Sequence, residues 1–465
     1  MNNYHKTDLI IIGAGPAGMA SAKVASNYGI SITIIDEQSR AGGQIYRNVG
    51  KSNARMKDIL GDEYAEGLEL SKSLEIENVK CYFGATVIDV DDSPSVIFRY
   101  NTKLYRLQSR HLLIATGAIE RPMPVPGWNL PGVMTVGAIQ ILIKSGRIVP
   151  KDSVLVGSGP LIYLTAVQLI RSGNPPQALI ETQNRSNYLS ALVHIVGAIR
   201  NWRQISKGLS YINIIREAGV KRYTGSSAIT INGTSGVESI SFKSNSSQHE
   251  IELEEVFIHH GLVPSIQISK LLKLKHRWHS LQRCFSPQVD SYGVSSSDTI
   301  SIAGDGAGIS GAIVANLSGQ ICAWYILNRL GHINKDVLDD KCDNLINKRS
   351  KEESLRPFLD TLYAPLKEFI VPDDETIVCR CEGLKASDIR DCLSMGYIDP
   401  DHVKSKNRCG MGLCQGRYCA TTVTEIISSE LNKHPSKVGC FNIRAPIKPV
   451  TLKEIADLNQ DSIQA

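Results

Sequence analysis

The chain has 465 residues, with a hydrophobic share of 42%, a charged share of 21% and a formal net charge of +5. This composition excludes a disordered or fibrous protein, and the length suffices for about three domains of the usual size. Lys and Arg are spread along the chain, so the charge argues against a nucleic-acid surface.

The start of the chain enters an apolar run within a few residues and has no charged leader before a cleavable apolar core, so we expect no signal peptide. The longest apolar candidate, ALVHIVGAI at residues 191–199, falls well short of the ~20 residues that cross a bilayer. An odd number of cysteines without an export signal favours a reducing compartment. We therefore expect a cytoplasmic protein without a transmembrane segment, for which peripheral membrane association stays open.

A complete dinucleotide-binding pattern begins the chain. An apolar strand over residues 8–12 leads into GAGPAG, a helix follows to Tyr28, and a second strand over residues 32–35 ends at an acidic pair. The first glycine suits the tight turn, the second the approach of a pyrophosphate to the helix N-terminus, and the third the packing of helix on strand. The first acid of the pair is placed to accept from a ribose hydroxyl, and the second is its alternative. The predicted nucleotide-contacting residues are Gly13, Gly15, Pro16, Ala17, Gly18, Asp36 and Glu37.

Three further motifs accompany this pattern. A glycine pair followed by glutamine, GGQ, lets a backbone pass close to a ligand. The run LLIATG ends a strand at Thr-Gly, and TISIAGDGAG repeats the arrangement of strand, Gly-Asp and helix near the far end of the same fold unit. These motifs resemble those that flank the first unit in flavoproteins with two dinucleotide-binding domains. They add as predicted cofactor contacts Gly42, Gly43, Gln44, Thr116, Gly117, Gly304 and Asp305.

A second, incomplete dinucleotide unit begins at Ser153 with the sequence SVLVGSGPLI. Ile162 replaces the third glycine, and we expect its β-branched side chain to hold helix and strand farther apart. Binding of NAD here is left open against a subdomain kept for architecture. Glu181, at the end of the next strand, would disfavour the phosphorylated cofactor.

Six of the eleven cysteines fall between residues 379 and 419, as C-x-C and later C-x4-C-x4-C around glycine-rich turns. Thiolates at such spacing can converge on one metal centre. Four thiolates suffice for a [2Fe–2S] cluster or for structural zinc, and zinc ribbons usually carry C-x2-C on both sides. Cys392 falls on the apolar side of a short helix and is interpreted as core. Cys409 is interpreted as the start of the cluster loop, with an exchange of ligands between it and Cys414 left open.

The motifs GAGPAG, GGQIYR, ATGAIERPMPVPGWNLPGVMTVGA, GSGPL, AGDGAG, CRCEG and GMGLCQGRYC follow one another in this order. In this the chain resembles the larger flavoprotein subunit of opine oxidases, D-hydroxyproline dehydrogenase and hydrogen cyanide synthase. The resemblance implies an α/β fold with two Rossmann-like dinucleotide-binding domains, as in glutathione reductase, and a small C-terminal [2Fe–2S] domain of the bacterioferritin-associated-ferredoxin type. By the same resemblance, Asp305 contacts the sugar-phosphate part of FAD. The implied cluster ligands are Cys379, Cys381, Cys414 and Cys419.

The resemblance also implies a function. The chain would be the electron-transferring FAD and [2Fe–2S] subunit of an amino- or imino-acid dehydrogenase, and a smaller FAD-dependent β subunit would oxidise the C–N bond of an opine, D-hydroxyproline, proline, sarcosine or glycine. A small ferredoxin-like subunit is a further candidate partner, and a quinone or an electron carrier is the expected acceptor. Further candidate cofactors are NAD or another adenine nucleotide, and FMN at a subunit interface. The alternatives are an autonomous NAD(P)H-dependent FAD oxidoreductase and a nucleotide-binding scaffold.

No catalytic residue is assigned, because no His, Asp or Ser constellation stands out and no cysteine pair lies beside either nucleotide unit. His259 and His260, adjacent at a strand end, are interpreted as structural or hinge residues. The expected domains are an FAD-binding domain at residues 1–150 and 260–330, an NAD(P)-binding-like domain at 151–259, a linker with one helix at 331–371, a [2Fe–2S] domain at 372–430 and a tail at 431–465.

Overall fold

The computed structural model describes residues 5–51, 54–146 and 151–458. The prediction about a signal peptide concerns the start of the chain, of which residues 1–4 lie outside these ranges. The predicted boundary at residue 150 and the last part of the predicted tail, residues 459–465, also lie outside them.

The first segment begins with a strand, a helix and a strand, as predicted. Pro16 occupies the first turn of the helix, where its missing N–H costs nothing, and the helix gives way after Ala25 to one 3-10 turn that ends at Gly29 with φ of 70°. The elements of this segment are β1 (His5–Ile12), α1 (Pro16–Ala25), β2 (Ile32–Asp36), α2 (Ala54–Leu60), α3 (Asp62–Ala65), α4 (Gly67–Lys72), β3 (Val79–Phe83), β4 (Thr86–Asp91), β5 (Ser95–Tyr100), β6 (Lys103–Ile114) and β7 (Ala118–Glu120).

The second segment holds the incomplete dinucleotide unit, three helices in succession and an antiparallel three-stranded sheet. Its elements are β8 (Val133–Thr135), α5 (Val136–Lys144), β9 (Ser153–Gly157), α6 (Pro160–Arg171), β10 (Ala178–Glu181), α7 (Arg185–Ala191), α8 (Ile195–Arg200), α9 (Trp202–Glu217), β11 (Lys221–Tyr223), β12 (Ser227–Asn232), β13 (Ser239–Ser244), β14 (Ser247–Glu252) and β15 (Glu255–His259).

The chain then returns to the first unit and continues into the cysteine-rich part. The remaining elements are β16 (Leu262–Pro264), α10 (Gln267–Leu271), β17 (His276–His279), β18 (Cys284–Pro287), β19 (Ile300–Ile302), α11 (Ala312–Arg329), α12 (Lys335–Glu353), α13 (Arg356–Leu362), β20 (Ile377–Cys379), β21 (Leu384–Lys385), α14 (Ala386–Ser394), α15 (Pro400–Asn407), α16 (Cys419–Glu430), α17 (Pro435–Val438) and α18 (Leu452–Asp457).

The first sheet carries the nucleotide motifs along one edge. Strands β3, β2, β1 and β6 run parallel to one another, and β19 joins β6 in the same direction. Residues 9–12 of β1 are almost completely buried because both faces of the sheet are covered there, which explains their unbroken apolar run. Since parallel strands end at the same edge, the motifs that follow β1, β2, β6 and β19 meet there.

The second sheet has the order β11, β10, β9, β15, β8 and is parallel throughout. Strand β8 lies before the predicted boundary at residue 150, yet it pairs with β15 and so belongs to this second unit. A single buried core runs through both units and includes Leu113 of the first and Leu155 of the second. The predicted α/β architecture with two dinucleotide-binding units and a small C-terminal domain is confirmed.

The region predicted as a linker with one helix contains two, α12 and α13. Helix α12 packs on α11 of the first unit through Leu338 and Cys342, and α13 contacts α7 and α8 of the second. The single-helix prediction is wrong because a second helix begins at Arg356, with Pro357 in its first turn, where a proline is tolerated.

The cysteine-rich part has a core of its own, which Cys392 joins as predicted. The predicted tail does not stand apart from the rest of the protein. Phe441 packs in the cysteine-rich core, and Ile447 is buried against the first sheet, where its N–H donates to Ile88 O at 2.9 Å. None of the helices in the described part of the chain is both long and apolar enough to cross a bilayer.

Candidate functional site

The glycines of the first unit form a cradle that side chains would fill. Gly13 has φ of 108°, and a Cβ there would lie 2.3 Å from Ala115 O; at Gly18 it would lie 1.9 Å from Gly13 O. Around Gly15, by contrast, the nearest atom to such a Cβ is Gly43 Cα at 3.8 Å. A Cβ at Gly15, the position where a pyrophosphate approaches a loop of this kind, would thus make only an ordinary van der Waals contact.

The second glycine motif is part of the same cradle. A Cβ at Gly43 would lie only 2.8 Å from Gly15 Cα, and one at Gly42, with φ of 127°, would lie 2.2 Å from Tyr46 O. Gly306, after β19, approaches Gly117, after β6. The structure thus brings together the predicted residues from the ends of β1, β6 and β19 and from the loop after β2.

Asp36 holds this loop in shape. Its carboxylate accepts the N–H of Ala14 at 2.6 Å and the N–H of Gln38 at 2.7 Å, one on each oxygen. Burial raises the pKa of Asp36, against the lowering effect of these two hydrogen bonds. Each oxygen keeps a second lone pair, so the carboxylate can still accept a hydroxyl. Its alternative, Glu37, is paired instead with Lys448 of the C-terminal segment at 2.9 Å.

Like Asp36, Asp305 stabilises a loop by accepting hydrogen bonds from backbone N–H groups. One of its carboxylate oxygens accepts the N–H groups of Ser310 at 2.8 Å and Gly311 at 2.9 Å, just before α11 begins. Helix α11 then packs closely on α1, because a Cβ at Gly319 would lie 2.1 Å from Ala17 O. The Gly-Asp motif therefore sets the position of α11 against the nucleotide loop.

Two cations at this site were not predicted from the sequence. The guanidinium of Arg47 donates to Gln38 and, at 3.0 Å, to Gln44, while its buried Nε has no partner. Lys144, from α5 of the second unit, donates to Gln44 O at 2.8 Å, and burial, together with Arg47, lowers its pKa to about 8. Both could balance the charge of a bound diphosphate. Arg47 ends the GGQIYR motif, but Lys144 carries no sequence signal, because only the packing of α5 brings it here.

The second unit repeats the turn but fills the cradle. Gly157 has φ of 126°, and a Cβ there would meet His259 O at 1.8 Å, which matches Gly13. At Gly159, however, a Cβ would lie 2.9 Å from the His259 ring, whereas at Gly15 the nearest atom, Gly43 Cα, is 3.8 Å away. The buried His259 ring is held by the Glu120 carboxylate at 2.6 Å. The interpretation of His259 as structural agrees with this geometry.

Glu181, the acidic residue that ends the second strand of this unit, is paired with side chains of the protein itself. Glu181 is 1% exposed, and its two oxygens accept from Arg222 at 2.7 and 3.1 Å and from Gln183 at 3.0 Å. The Ser158 hydroxyl, in the loop itself, donates to Tyr363 O of the segment after α13 at 3.1 Å. Among the described residues, the nucleotide loop of this unit is thus covered by the chain's own side chains.

Five of the six clustered cysteines come together. The Sγ atoms of Cys379, Cys409 and Cys419 lie within 4.8 Å of one another and are buried. Cys381, which is exposed, lies beside Cys414, whose backbone and thiol both hydrogen-bond it. Cys409 is therefore part of the thiol cluster and not merely the start of a loop. The sequence pattern could not decide this, since the direction of its side chain depends on the left-handed turn at Arg408.

Glycines give the cluster loop its shape. Gly410 and Gly416 have φ of 81° and 77°, and a Cβ at either would strike the Phe441 ring, at 2.7 and 2.9 Å. A Cβ at Gly412 would lie 2.2 Å from Cys381 Cβ. Hydrogen bonds from Cys409 and then Cys419 lower the pKa of Cys379 to about 2. The cluster thus favours a thiolate, which is the form that binds metal.

The cysteine-rich part docks on the flavoprotein-like body beside β7. Trp128 donates its indole N–H to Ile377 O at 2.7 Å, and the Arg380 guanidinium lies 5.2 Å from the centre of the Trp128 ring. On the other side, Arg283 donates to the buried Glu425 carboxylate at 2.9 and 2.6 Å. Ile119 of β7 lines a small cavity together with Arg417 and Ala420, which lie on either side of Cys419 in the chain. Because β7 directly follows Thr116 and Gly117, the cysteine-rich part meets the segment that leaves the nucleotide cradle.

This architecture has known counterparts. The profile of the family described as pyridine nucleotide-disulphide oxidoreductase matches residues 7–321, and the profile described as sarcosine oxidase A3 domain matches residues 374–458. The chain belongs to the pyridine nucleotide-disulphide oxidoreductase family. It is accordingly an FAD-dependent oxidoreductase, and the open first cradle fits that cofactor.

Curated relatives extend over nearly the whole chain. An opine oxidase subunit of Rhizobium meliloti is 36% identical over 462 residues, which cover 97% of this chain and 87% of that protein. Hydrogen cyanide synthase subunit HcnB of Pseudomonas protegens is 28% identical and covers 98% of both chains. Among solved structures, L-proline dehydrogenase from P. horikoshii superposes with a TM-score of 0.71 at 20% identity, covering 98% of this chain and 81% of the other. At this level of identity, the superposition shows that the two proteins share a fold.

Proposed function

We propose that the chain is the electron-transferring subunit of a multi-subunit dehydrogenase that oxidises the C–N bond of an amino or imino acid. The observation that carries this proposal is the position of the cysteine-rich part beside β7, the strand that follows the Thr116–Gly117 turn of the nucleotide cradle. Ile119 of β7 lines one small cavity together with Arg417 and Ala420, which lie next to Cys419 in the chain. Relatives over nearly the full length are named as subunits of opine oxidase and of hydrogen cyanide synthase, which supports a role within a complex.

We assign FAD to the first cradle. Gly15 and Gly43 would lie against its diphosphate, Asp36 would accept from its ribose, and Arg47 would balance its charge. Bound FAD supplies two-electron chemistry that can also proceed in single steps, which suits exchange with a one-electron centre. The remaining predicted contacts line or support the same edge of the sheet, namely Gly13, Pro16, Ala17, Gly18, Gly42, Gln44, Thr116, Gly117, Gly304 and Asp305.

We assign a [2Fe–2S] cluster to the thiols. The four ligands remain Cys379, Cys381, Cys414 and Cys419, so Cys409 is the fifth thiol, packed against Cys379 and Cys419. The donor set fits, because thiolates are the ligands of such clusters and Cys379 is already favoured as a thiolate. The exposed Cys381 and the neighbouring Leu413, which is 78% exposed, leave one edge of the site accessible to an electron acceptor.

We further propose that the second unit binds no nicotinamide cofactor. The His259 ring lies where the cradle would have to be open, and Glu181, the residue placed to bind a ribose, is already committed to Arg222. The chain would then receive its electrons from a partner subunit that holds the substrate, and not from NADH. FMN at the interface with that partner is a further cofactor to look for.

Purification of the chain alone and with the products of neighbouring genes tests this function. We expect flavin absorption and the EPR signal of a reduced [2Fe–2S] cluster in both preparations. Turnover of D-hydroxyproline, an opine, proline, sarcosine or glycine with an artificial acceptor should occur only in the complex. Turnover by the isolated chain, or rapid bleaching of its flavin by NADH, would contradict the proposal.

Serine variants of the cysteines test the ligand set separately. We expect Cys414→Ser to lose the EPR signal of the cluster and Cys409→Ser to keep it, while both keep their flavin. The buried Cys392 supplies the matched control, because Cys392→Ser changes a thiol of the same domain that lies outside the cluster. Loss of the cluster in Cys409→Ser with retention in Cys414→Ser would replace Cys414 by Cys409 as the ligand.

A further inference from the structure

The segment with helices α7, α8 and α9 turns its apolar side chains away from the protein. Between residues 188 and 202, Val193 is 81% exposed, Leu189 is 68% exposed and Trp202 is 65% exposed. Soluble monomers rarely expose contiguous apolar patches larger than a few hundred Å², and such patches mark contact with a membrane or another protein. We call this surface the apolar face, and it consists of Tyr188, Leu189, Leu192, Val193, Ile195, Val196, Ile199 and Trp202.

The opposite side of the same segment, on which Asn187 and Asn201 are buried together with the small Ala191 and Ala198, is its attachment to the protein. The Asn201 amide donates to Lys351 O at 3.1 Å and to the Ser354 hydroxyl at 3.0 Å, and the Asn187 amide donates to Ala364 O at 3.3 Å. A Cβ at Gly197 would lie 1.9 Å from Ser354 O, so the backbone of α8 rests directly on the end of α12. This is the reverse of an ordinary surface helix, whose apolar side faces the core.

The charged residues of the segment itself have one sign, although Glu352 of α12 accepts from Gln204 beside it. From residue 182 to residue 216 the chain has five Lys and Arg and no Asp or Glu. Arg185, Arg200 and Arg203 are exposed, whereas Lys207 is paired with Glu63 of α3. An exposed apolar strip that includes Trp and is bordered by cations is the pattern of a segment that lies in the interface of a bilayer.

We propose that the apolar face binds the surface of a membrane that contains anionic phospholipid. The apolar side chains would enter the boundary between headgroups and acyl chains, and the three arginines would contact the headgroup phosphates. A membrane is favoured over a protein partner because the charge pattern complements an anionic surface, while the face offers few side chains that could form specific hydrogen bonds. If the chain transfers electrons as proposed above, this binding would place it beside membrane quinone, one of the two expected classes of acceptor.

Sedimentation of the purified flavin-loaded chain with vesicles tests this proposal. One set of vesicles contains phosphatidylcholine alone, and the other contains phosphatidylcholine mixed with phosphatidylglycerol. We expect binding to the mixed vesicles that weakens with added salt, since the arginines would be screened. The fluorescence of Trp202 should shift to shorter wavelength on binding, and Trp202→Phe should lose this shift.

Two variants separate the apolar and electrostatic contributions. Leu192→Ser with Val193→Ser should weaken binding to the mixed vesicles by at least about tenfold, because two exposed aliphatic side chains no longer enter the bilayer. Arg200→Ala with Arg203→Ala should weaken binding roughly thirtyfold, since each cation near an anionic surface contributes about fivefold to the affinity. Neither pair is buried, so both variants should keep their flavin.

Leu452→Ser with Ile455→Ser is the matched control, because these two exposed apolar residues of α18 lie outside the apolar face. This control should bind as the unchanged chain does. Absence of binding to the mixed vesicles, equal binding to both vesicle types, or equal binding by all variants would overturn the proposal. A protein interface would also overturn the proposal. It would be indicated if the Leu192→Ser, Val193→Ser variant abolished self-association or assembly with a partner subunit, and if the assembled protein did not bind vesicles.

Discussion

The two dinucleotide units have the same local motif but opposite surroundings. Gly13 and Gly157 both have positive φ and both pack against the backbone of a neighbouring strand. At the next glycine, a Cβ would make an ordinary contact at 3.8 Å with Gly43 Cα in the first unit, at Gly15, but would strike the His259 ring at 2.9 Å in the second, at Gly159. The motif therefore builds the turn in both places, and only the neighbouring strands decide whether a ligand can use it.

The acids that end the second strand of each unit differ in the same way. Asp36 is bonded to backbone N–H groups of its own loop, and its remaining lone pairs are free to accept from a ligand. Glu181 is 1% exposed, and a guanidinium donates to both of its oxygens. The comparison teaches that an acid at the right place in the chain indicates a nucleotide site only when no cation of the protein already occupies it.

The largest expected effect comes from Gly18→Ala in the first unit. The new Cβ would lie 1.9 Å from Gly13 O, which forces α1 away from β1 and deforms the cradle. We expect a loss of about 3 kcal/mol, or roughly a hundredfold in affinity for FAD. Titration of the deflavinated protein with FAD measures this loss.

Gly208→Ala is the control for this prediction, because it adds the same methyl group to helix α9 of the second unit, where no atom lies within 4 Å. It should bind FAD as the unchanged chain does. If Gly18→Ala bound FAD equally well, the first cradle would not be the flavin site.

Arg222→Ala breaks the ion pair of the second unit. It leaves the buried Glu181 without its cation, and we expect the free energy of unfolding to fall by roughly 3 kcal/mol, as measured by urea denaturation. Arg222→Met with Glu181→Gln should recover most of this loss, because no unpaired charge remains. An effect no larger than that of the exposed Arg216→Ala would mean that the pair does not close this unit.

Lys144 of the second unit contacts the first unit, and its lowered pKa should make the free energy of unfolding depend on pH. Burial holds its pKa at about 8, below the ordinary 10.5, so between these values the unfolded chain binds more protons than the folded one. The stability of the flavin-free protein should therefore rise with pH above about 8, by about 1.5 kcal/mol up to pH about 9.5. The difference between the unchanged chain and Lys144→Met over this range isolates the contribution. A constant difference between the two proteins would show that Lys144 is not buried as a cation.

Ser158→Ala has the smallest expected effect. It removes the hydroxyl that donates to Tyr363 O and should cost about 1 kcal/mol of stability with no change in flavin content. Ser172→Ala, which removes a hydroxyl that bonds only within its own helix end, serves for comparison. Equal effects of the two variants would indicate that the segment after α13 does not rest on the second loop in solution.

Much of the first unit could be predicted from the sequence, because its determinants are local. The strands β1 and β2, the helix between them and the acid at residue 36 follow from apolar runs, glycine spacing and one proline. The cations at the site could not all be predicted in this way. Lys144 reaches Gln44 across the boundary between two units, and no pattern around residue 144 announces that contact.

The two nucleotide turns and the crowding of cysteines near the C-terminus can be predicted from local sequence, since glycine conformations and thiol spacing act over a few residues. Long-range packing, by contrast, sets His259 and Arg222 against the second unit, brings Cys409 to Cys379 and Cys419, and turns the apolar side chains of residues 188–202 outward. These outcomes depend on contacts between side chains far apart in the chain, whose geometry is set by the packing of whole elements and not by local preference.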